Sequence, residues 1–143
     1  MKAIKFIGMG ILAVVLFTGC CNCNKKSSFP FQETVWQLTQ LNGKTVKADN
    51  NFTIAFLNTG RITGKGACNT FFGPWEFVKG KNNGIQIGQV ASTMMACPDM
   101  ETESAFFQAL EKTTEYRLDG GRLYLYEGQN LRAVLQGTDK KVK

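Results

Sequence analysis

The sequence predicts a mainly β fold, a small antiparallel β-barrel-like or strongly curled sheet with one α-helix. Three observations support this class. Short runs alternate apolar with polar residues, which is typical of half-buried strands. Gly and Asn residues separate these runs at close intervals and favour tight turns. One stretch between residues 99 and 112 has the spacing of an amphipathic helix instead.

Three strands are predicted in the first half of the folded part. Trp36–Leu41 is the first of them. Large apolar residues alternate with smaller ones from Phe52 to Phe56, so one face of the second strand is expected to be buried. Asn58–Gly60 has the length and the final glycine of a three-residue hairpin loop, after which Arg61–Gly64 pairs back.

The next strand is predicted to be irregular. Aromatic residues recur at alternate positions between Phe71 and Phe77, but Gly73-Pro74 lies among them. This pair favours a bend, a bulge or a sheet edge over a regular central strand. A turn at residues 82–84 then leads to a short strand with Ile85 and Ile87 on one face.

A single helix follows. Asp99 is the predicted N-cap, and Glu101 and Glu103 in the first turn suit the positive end of the helix dipole. These acidic side chains could also be a carboxylate pair for glycoside cleavage, but we interpret them as partners of the dipole. The predicted buried stripe consists of Phe106, Phe107 and Leu110.

Three further strands close the domain. Tyr116–Leu118 precedes a turn at Asp119–Gly121, and Leu alternates with Tyr from Leu123 to Tyr126. Alternate apolar residues from Leu131 to Leu135 form the last strand. The prediction is therefore about seven or eight strands with no βαβ unit.

The composition excludes several classes of function. The chain has 143 residues, which suits one compact domain, and it has no histidine. The Ser-His and Cys-His nucleophile pairs and the His-dependent metal sites are thus excluded. We expect no catalytic residues, no metal and no cofactor. The 17 basic residues outnumber the 11 acidic ones, but the excess of positive charge lies near the chain ends, so we expect no nucleic-acid binding.

The first residues have the features of an export signal. Lys2 and Lys5 precede an apolar run from Phe6 to Phe17, which is shorter than the ~20 residues of a membrane-spanning helix. The run ends in Leu16–Cys20, which resembles the lipobox of bacterial lipoproteins. Cys20 would then be acylated and would lead the mature chain. A plain cleaved signal peptide is the alternative.

The expected organisation follows from this anchor. Residues 1–19 are the signal peptide, 20–34 the acylated Cys and a polar tether, 35–137 the domain, and 138–143 a basic C-terminal tail. Cys21 is a weaker candidate for acylation. Because Cys21 is not an aspartate, resemblance to lipoproteins of double-membrane bacteria implies delivery to the outer membrane.

The remaining cysteines suggest one disulfide. Without Cys20, four cysteines allow three complete pairings in an exported, oxidised protein. Cys68 and Cys97 are the two within the domain, and we predict that they pair. Two buried free thiols are the alternative. Cys21 and Cys23 lie in the tether as free thiols, mixed disulfides or intermolecular links, and no Cys-x2-Cys spacing indicates zinc.

Several segments closely resemble the META domain of HslJ-like bacterial lipoproteins. They are Trp36–Leu38, Leu41–Gly43, Gly64–Gly73, Ala91–Cys97 and Leu123–Leu125. The resemblance implies an antiparallel barrel-like fold with one helix, no catalytic residue set, and a function described mainly as stress-related or unknown. Met94 replaces an arginine that is frequent in the family, so no charge-dependent role transfers to this position.

The two longest of these segments supply the candidate site. Its structural or binding residues are Gly64, Gly66, Asn69, Phe71, Gly73, Ser92, Thr93 and Met95. We interpret the glycines as positions of close backbone approach and Asn69 as a partner for turn backbone groups. Met94, Met95 and Met100 could form a soft contact surface, but we interpret them as core residues.

The functional hypothesis is a lipid-anchored, non-enzymatic envelope protein. Its partners would be the membrane, through the N-terminal lipid, and another envelope component, or it would support the envelope under stress. The alternative is a carrier that holds a small hydrophobic ligand inside the barrel. A solid interior with an exposed apolar or Tyr-rich face, such as one with Tyr124 and Tyr126, would favour partner binding. A cavity lined by Phe and Leu would favour the carrier.

Overall fold

A computed structural model describes residues 28–47 and 52–142. The predicted signal peptide and the cysteines at positions 20, 21 and 23 lie outside the described residues. Within the described part, no helix is both long and apolar enough to cross a bilayer.

Ten strands and one helix make up the described residues. The strands are β1 Thr34–Leu41, β2 Lys44–Thr45, β3 Thr53–Phe56, β4 Arg61–Lys65, β5 Thr70–Phe77, β6 Ile85–Ile87, β7 Ala91–Ser92, β8 Glu115–Asp119, β9 Arg122–Glu127 and β10 Asn130–Lys141, and α1 is Met100–Glu111. The predicted strands are all present, and the extra ones, β2 and β7, have two residues each. The mainly β prediction is confirmed.

The strands form one antiparallel sheet that curls into an almost closed barrel. Their order is β6-β5-β4-β3-β1-β10-β9-β8, with β2 beside β1 and β7 beside β5. Two backbone bonds link the outer strands. The Ile85 N–H donates to the Thr114 carbonyl at 3.1 Å, and the Tyr116 N–H donates to the Asn83 carbonyl at 3.0 Å. These bonds join the β6 and β8 sides of the sheet, so few strand edges remain unpaired where the barrel closes.

Strand β5 shows why Gly73-Pro74 is tolerated. On one side the strand pairs with β4 along its whole central part. On the other side it pairs first with β7, at Phe71 and Phe72, and then with β6 from Trp75 onward. Proline has no N–H to donate, and Pro74 lies where the strand changes partner.

Large apolar side chains fill the barrel from both ends. Helix α1 crosses one end and places the Phe106 ring 5.9 Å from those of Phe52 and Phe71. At the other end, the Phe31 ring lies 4.4 Å from both Phe56 and Tyr116. Between them, the inward faces of the strands are buried. The two Phe106 contacts are edge-to-face, an arrangement that adds to the stabilisation from burial.

The folded domain extends beyond both predicted boundaries. Phe31 is buried and β1 begins at Thr34, so residues 30–34 belong to the domain and not to a tether. Strand β10 continues to Lys141, and Thr34 pairs with that residue. Residues 138–141 are therefore part of a strand and not a tail, because the first residues of β1 pair with them.

The helix matches its predicted position but not its predicted cap. Asp99 precedes α1 without a capping hydrogen bond from its side chain. Phe106 and Leu110 are buried as predicted, whereas Phe107 is half-buried and packs its ring 4.9 Å from that of Phe71. Glu103 is buried on the same face.

Candidate functional site

Three segments meet at the end of the barrel that α1 covers. They are the loop Gly66–Asn69 after β4, the segment Thr93–Cys97 after β7, and the first turn of α1. Cys68 and Cys97 form a disulfide with their Cα atoms 6.2 Å apart, as predicted. The bond joins two segments that are 29 positions apart in sequence.

Glu103 joins the helix to the loop. One of its carboxylate oxygens, Oε2, accepts the backbone N–H groups of Cys68 at 3.1 Å and Asn69 at 3.0 Å. The other oxygen, Oε1, accepts the side-chain amide of Asn69 at 2.5 Å. The side chain of Glu103 is almost fully buried, with its residue only 4% exposed. A buried carboxylate is stable here because N–H donors surround it.

The pKa of Glu103 reflects two opposing effects. Burial by itself raises the pKa of this carboxyl group, because a low-dielectric environment disfavours the charge. The hydrogen bonds from the side chain of Asn69 and from the backbone of Asn69, Cys68 and Ala67 lower it. The net effect is a pKa below the ordinary value of 4.5, so Glu103 is ionised at neutral pH.

Asn69 extends the network to the third segment. Its Oδ1 accepts the Thr93 hydroxyl at 2.8 Å and the Met95 N–H at 2.7 Å. Its Nδ2 also donates to the Met95 carbonyl at 3.0 Å. The amide thus pairs with both backbone groups of Met95, as a neighbouring strand would. We call Asn69, Glu103 and these partners the Asn69–Glu103 network.

Two glycines allow this close packing. A Cβ atom at Gly66 would lie 2.6 Å from Cγ of Glu103, well inside van der Waals contact. A Cβ atom at Gly64 would lie 2.6 Å from the ring of Phe71. Both positions therefore need glycine for close approach. At Gly73 the nearest atom, the Gln89 carbonyl oxygen, would be 3.0 Å away.

The other predicted site residues lie around this network. Phe71 is buried under α1, and Ser92 pairs with it across β5 and β7. Ser92 is itself exposed. The candidate residues are thus brought together at one end of the barrel, except Gly73, which lies farther along β5.

The domain model of one protein family matches most of the chain. It is the META domain, and it matches residues 30–140. The chain belongs to the META domain family. A search of curated proteins found no match.

Solved structures share the fold of this META domain. A DUF4847 family protein from Bacteroides vulgatus has a TM-score of 0.57 at 20% identity, over 79% of this chain and 96% of that one. A protein from Burkholderia xenovorans has a TM-score of 0.58 at 20% identity, over 77% and 85%. A third structure, solved by NMR, has a TM-score of 0.58 at 24% identity, over 74% and 90%. At these identities the similarity supports the fold alone.

Glu103 is the site residue that the sequence interpretation missed. The interpretation assigned it to the helix dipole, yet in the META domain it is buried and hydrogen-bonded to the Gly66–Asn69 loop. A signal was available in the spacing. Glu103 lies three and seven positions before Phe106 and Leu110, which places it on the same buried face.

The exposure of the three methionines contradicts their interpretation as core residues. Met94 is 98% exposed, Met95 58% and Met100 43%. Asn69 binds both backbone groups of Met95, whose side chain is exposed. The segment therefore presents apolar thioether side chains on a fixed backbone.

Replacing Glu103 with Gln tests the network. An amide offers an NH2 group where the carboxylate accepts only N–H donors, so at least one buried donor loses its acceptor. We expect the free energy of unfolding to fall by about 2 to 3 kcal/mol at pH 7 in urea denaturation. Glu101→Gln, at an exposed position of the same turn, should change it by less than about 0.5 kcal/mol.

The difference in unfolding free energy between wild type and Glu103→Gln should depend on pH. A carboxyl with a lowered pKa stabilises the fold above its unfolded pKa, and this contribution is lost as pH falls through its folded pKa. The stability difference between wild type and Glu103→Gln should therefore shrink below about pH 4.5. A constant difference down to acid pH would contradict the proposed ionised network.

Removing the disulfide should also destabilise the domain. For Cys68→Ser with Cys97→Ser, the loss expected from chain entropy is roughly 3 to 4 kcal/mol in urea denaturation. The matched control is Cys21→Ser with Cys23→Ser, which should leave stability unchanged. Peptide mapping without reduction should recover the Cys68–Cys97 pair. Alkylation of both thiols in freshly exported protein would contradict the bond.

Proposed function

We propose that the protein is a lipid-anchored protein of the bacterial envelope whose META domain binds another envelope protein. The anchor is supported by the basic and apolar leader that ends in Leu16–Cys20. The residue after Cys20 favours outer-membrane delivery. The binding role rests on one observation in the domain, the fixed and exposed segment that contains Met94 and Met95.

The segment is suited to a protein partner for two reasons. Its backbone is held by Asn69 and by the Cys68–Cys97 disulfide, so little conformational entropy is lost on binding. Its exposed methionine side chains are apolar and adaptable, a property common at protein-binding surfaces. The carboxylate of Glu103 and the disulfide hold this segment in place although its apolar side chains are exposed. Such a segment is better suited to recognising a partner than to packing in a core.

The packed interior favours this proposal over a hydrophobic carrier. Twelve large apolar side chains, among them Trp36, Phe56, Phe71 and Phe106, are each less than 2% exposed. They occupy the space in which a barrel carrier would hold an acyl chain. The grooves found among the described residues open to the surface instead.

A non-enzymatic role agrees with the chemistry of the side chains. The chain has no histidine, and Glu103, the carboxylate with a lowered pKa, uses both oxygens to hold the loop. A carboxylate engaged in this way is a structural acceptor. We propose that the domain acts by binding, and that envelope stress tolerance is a consequence of that binding.

Lipidation can be tested by metabolic labelling with an alkyne-bearing fatty acid. We expect the wild-type chain and Cys21→Ala to incorporate the label, and Cys20→Ala to incorporate none. The physical reason is that only the cysteine at the cleavage site becomes the acylated N-terminus. If Cys20→Ala retained the label and Cys21→Ala lost it, the acylated residue would be Cys21 and not Cys20. Label in none of the chains would contradict it.

Partner binding can be tested with a photoreactive amino acid at position 94, and at Lys79 as an exposed control. We expect one protein adduct in intact cells from position 94 only. Adding Met95→Gln should remove this adduct without changing the melting temperature, because the Met95 side chain is exposed. Equal adducts from both positions would contradict the proposal.

A further inference from the structure

A groove of about 580 Å³ runs along the outside of the barrel. Its floor consists of small outward-facing residues of β1, β3 and β4. Val35 is paired with Ala55, and Ala55 with Thr63, in one row across the sheet. Thr53 and Lys65 form the next row. Small side chains at adjacent positions leave a depression in a surface where longer side chains would otherwise project.

The end of β10 forms one wall of this groove. Between β1 and β10 the register shifts, since Val35 pairs with Thr138 but Thr34 pairs with Lys141. The extra residues carry the strand end over the sheet, and Lys140, Lys141 and Val142 line the groove. Ala55 is only 3% exposed although it lies on the outer face.

The charged residues that line the groove, among the described ones, are all basic. Its charged lining residues are Lys65, Lys140 and Lys141, and all three are exposed. Among the described residues that line it, none is acidic. Asp139 is adjacent in sequence but is not part of the lining. Three ammonium groups beside an apolar floor match a ligand with a phosphate and an apolar portion.

We propose that this groove binds the phosphate-bearing headgroups of anionic lipids in the membrane that anchors the protein. This inference rests on the lipid anchor of the proposed function. The anchor makes such contact geometrically feasible, since the seven residues 21–27 span at most about 25 Å. A domain on so short a tether stays close to the headgroups.

The chain enters the domain at the same end as the C-terminal lysines. Ser28 and Phe29 border the turn between β8 and β9. Phe29 also packs on Gly137 of β10, where an added Cβ would lie 2.6 Å from Cγ of Phe29. The tether and the end of β10 therefore leave the barrel close together. The anchored chain would hold Lys140 and Lys141 near the membrane surface.

The first test measures amine-labelling rates in the lipidated full-length protein. The protein is reconstituted in vesicles of phosphatidylcholine alone, or of phosphatidylcholine with 30% phosphatidylglycerol. We expect labelling of Lys65, Lys140 and Lys141 to slow at least threefold in the anionic vesicles. Lys44, Lys79 and Lys112 should keep their rates. High salt should abolish the difference because it screens exposed charges.

The second test uses a soluble probe. Dihexanoyl phosphatidylglycerol below its micelle concentration should raise the melting temperature of the wild-type protein in detergent, since a ligand of the folded state stabilises it. Lys65→Gln/Lys140→Gln/Lys141→Gln should lose this shift. Lys44→Gln/Lys79→Gln/Lys112→Gln has the same change of charge and should retain it.

Several results would overturn the proposal. Equal protection of all six lysines would indicate a general surface potential and no groove. An equal melting shift with inorganic phosphate would indicate a free anion as the ligand and not a lipid. Failure of the Cys20 labelling test would remove the anchor alone, because the soluble-lipid titration reports on the groove without it.

Discussion

The buried carboxylate of Glu103 is the constraint on which the functional end of the molecule depends. It accepts backbone N–H groups from Cys68 and Asn69, and so ties the first turn of the helix to the loop after β4. Because it fills the space beside the loop, Gly66 can have no side chain. It also orients Asn69, whose amide then holds Met95. One charge therefore positions a helix, a loop and a strand-like segment at once.

The barrel provides the rigid support for this network. Aromatic side chains enter from both ends, with Phe106 under the helix and Phe31 at the opposite end. The interior is thereby filled by side chains, and two backbone hydrogen bonds draw the outer strands together. A filled barrel has little room for a ligand, so the proposed functions use its outer surface.

Two outer surfaces of different chemistry suit an anchored binding protein. The segment with Met94 and Met95 is apolar, exposed and fixed to the barrel. The groove with Lys65, Lys140 and Lys141 has positive charges around an apolar floor. We propose the first for a protein partner and the second for membrane lipids.

The sequence by itself determined eight of the ten strands, the helix, the family and the disulfide partners. These features leave local signals, because alternation, turn residues and the spacing of Phe106 and Leu110 reflect which face is buried. The helical spacing of Glu103 places it on the buried face, but residue type suggested an exposed side chain for Glu103 and a buried one for Met94. The tertiary structure decided between these signals. The reason is that burial depends on donors and neighbours from distant segments, such as Asn69 beside Glu103, and no local pattern encodes those contacts.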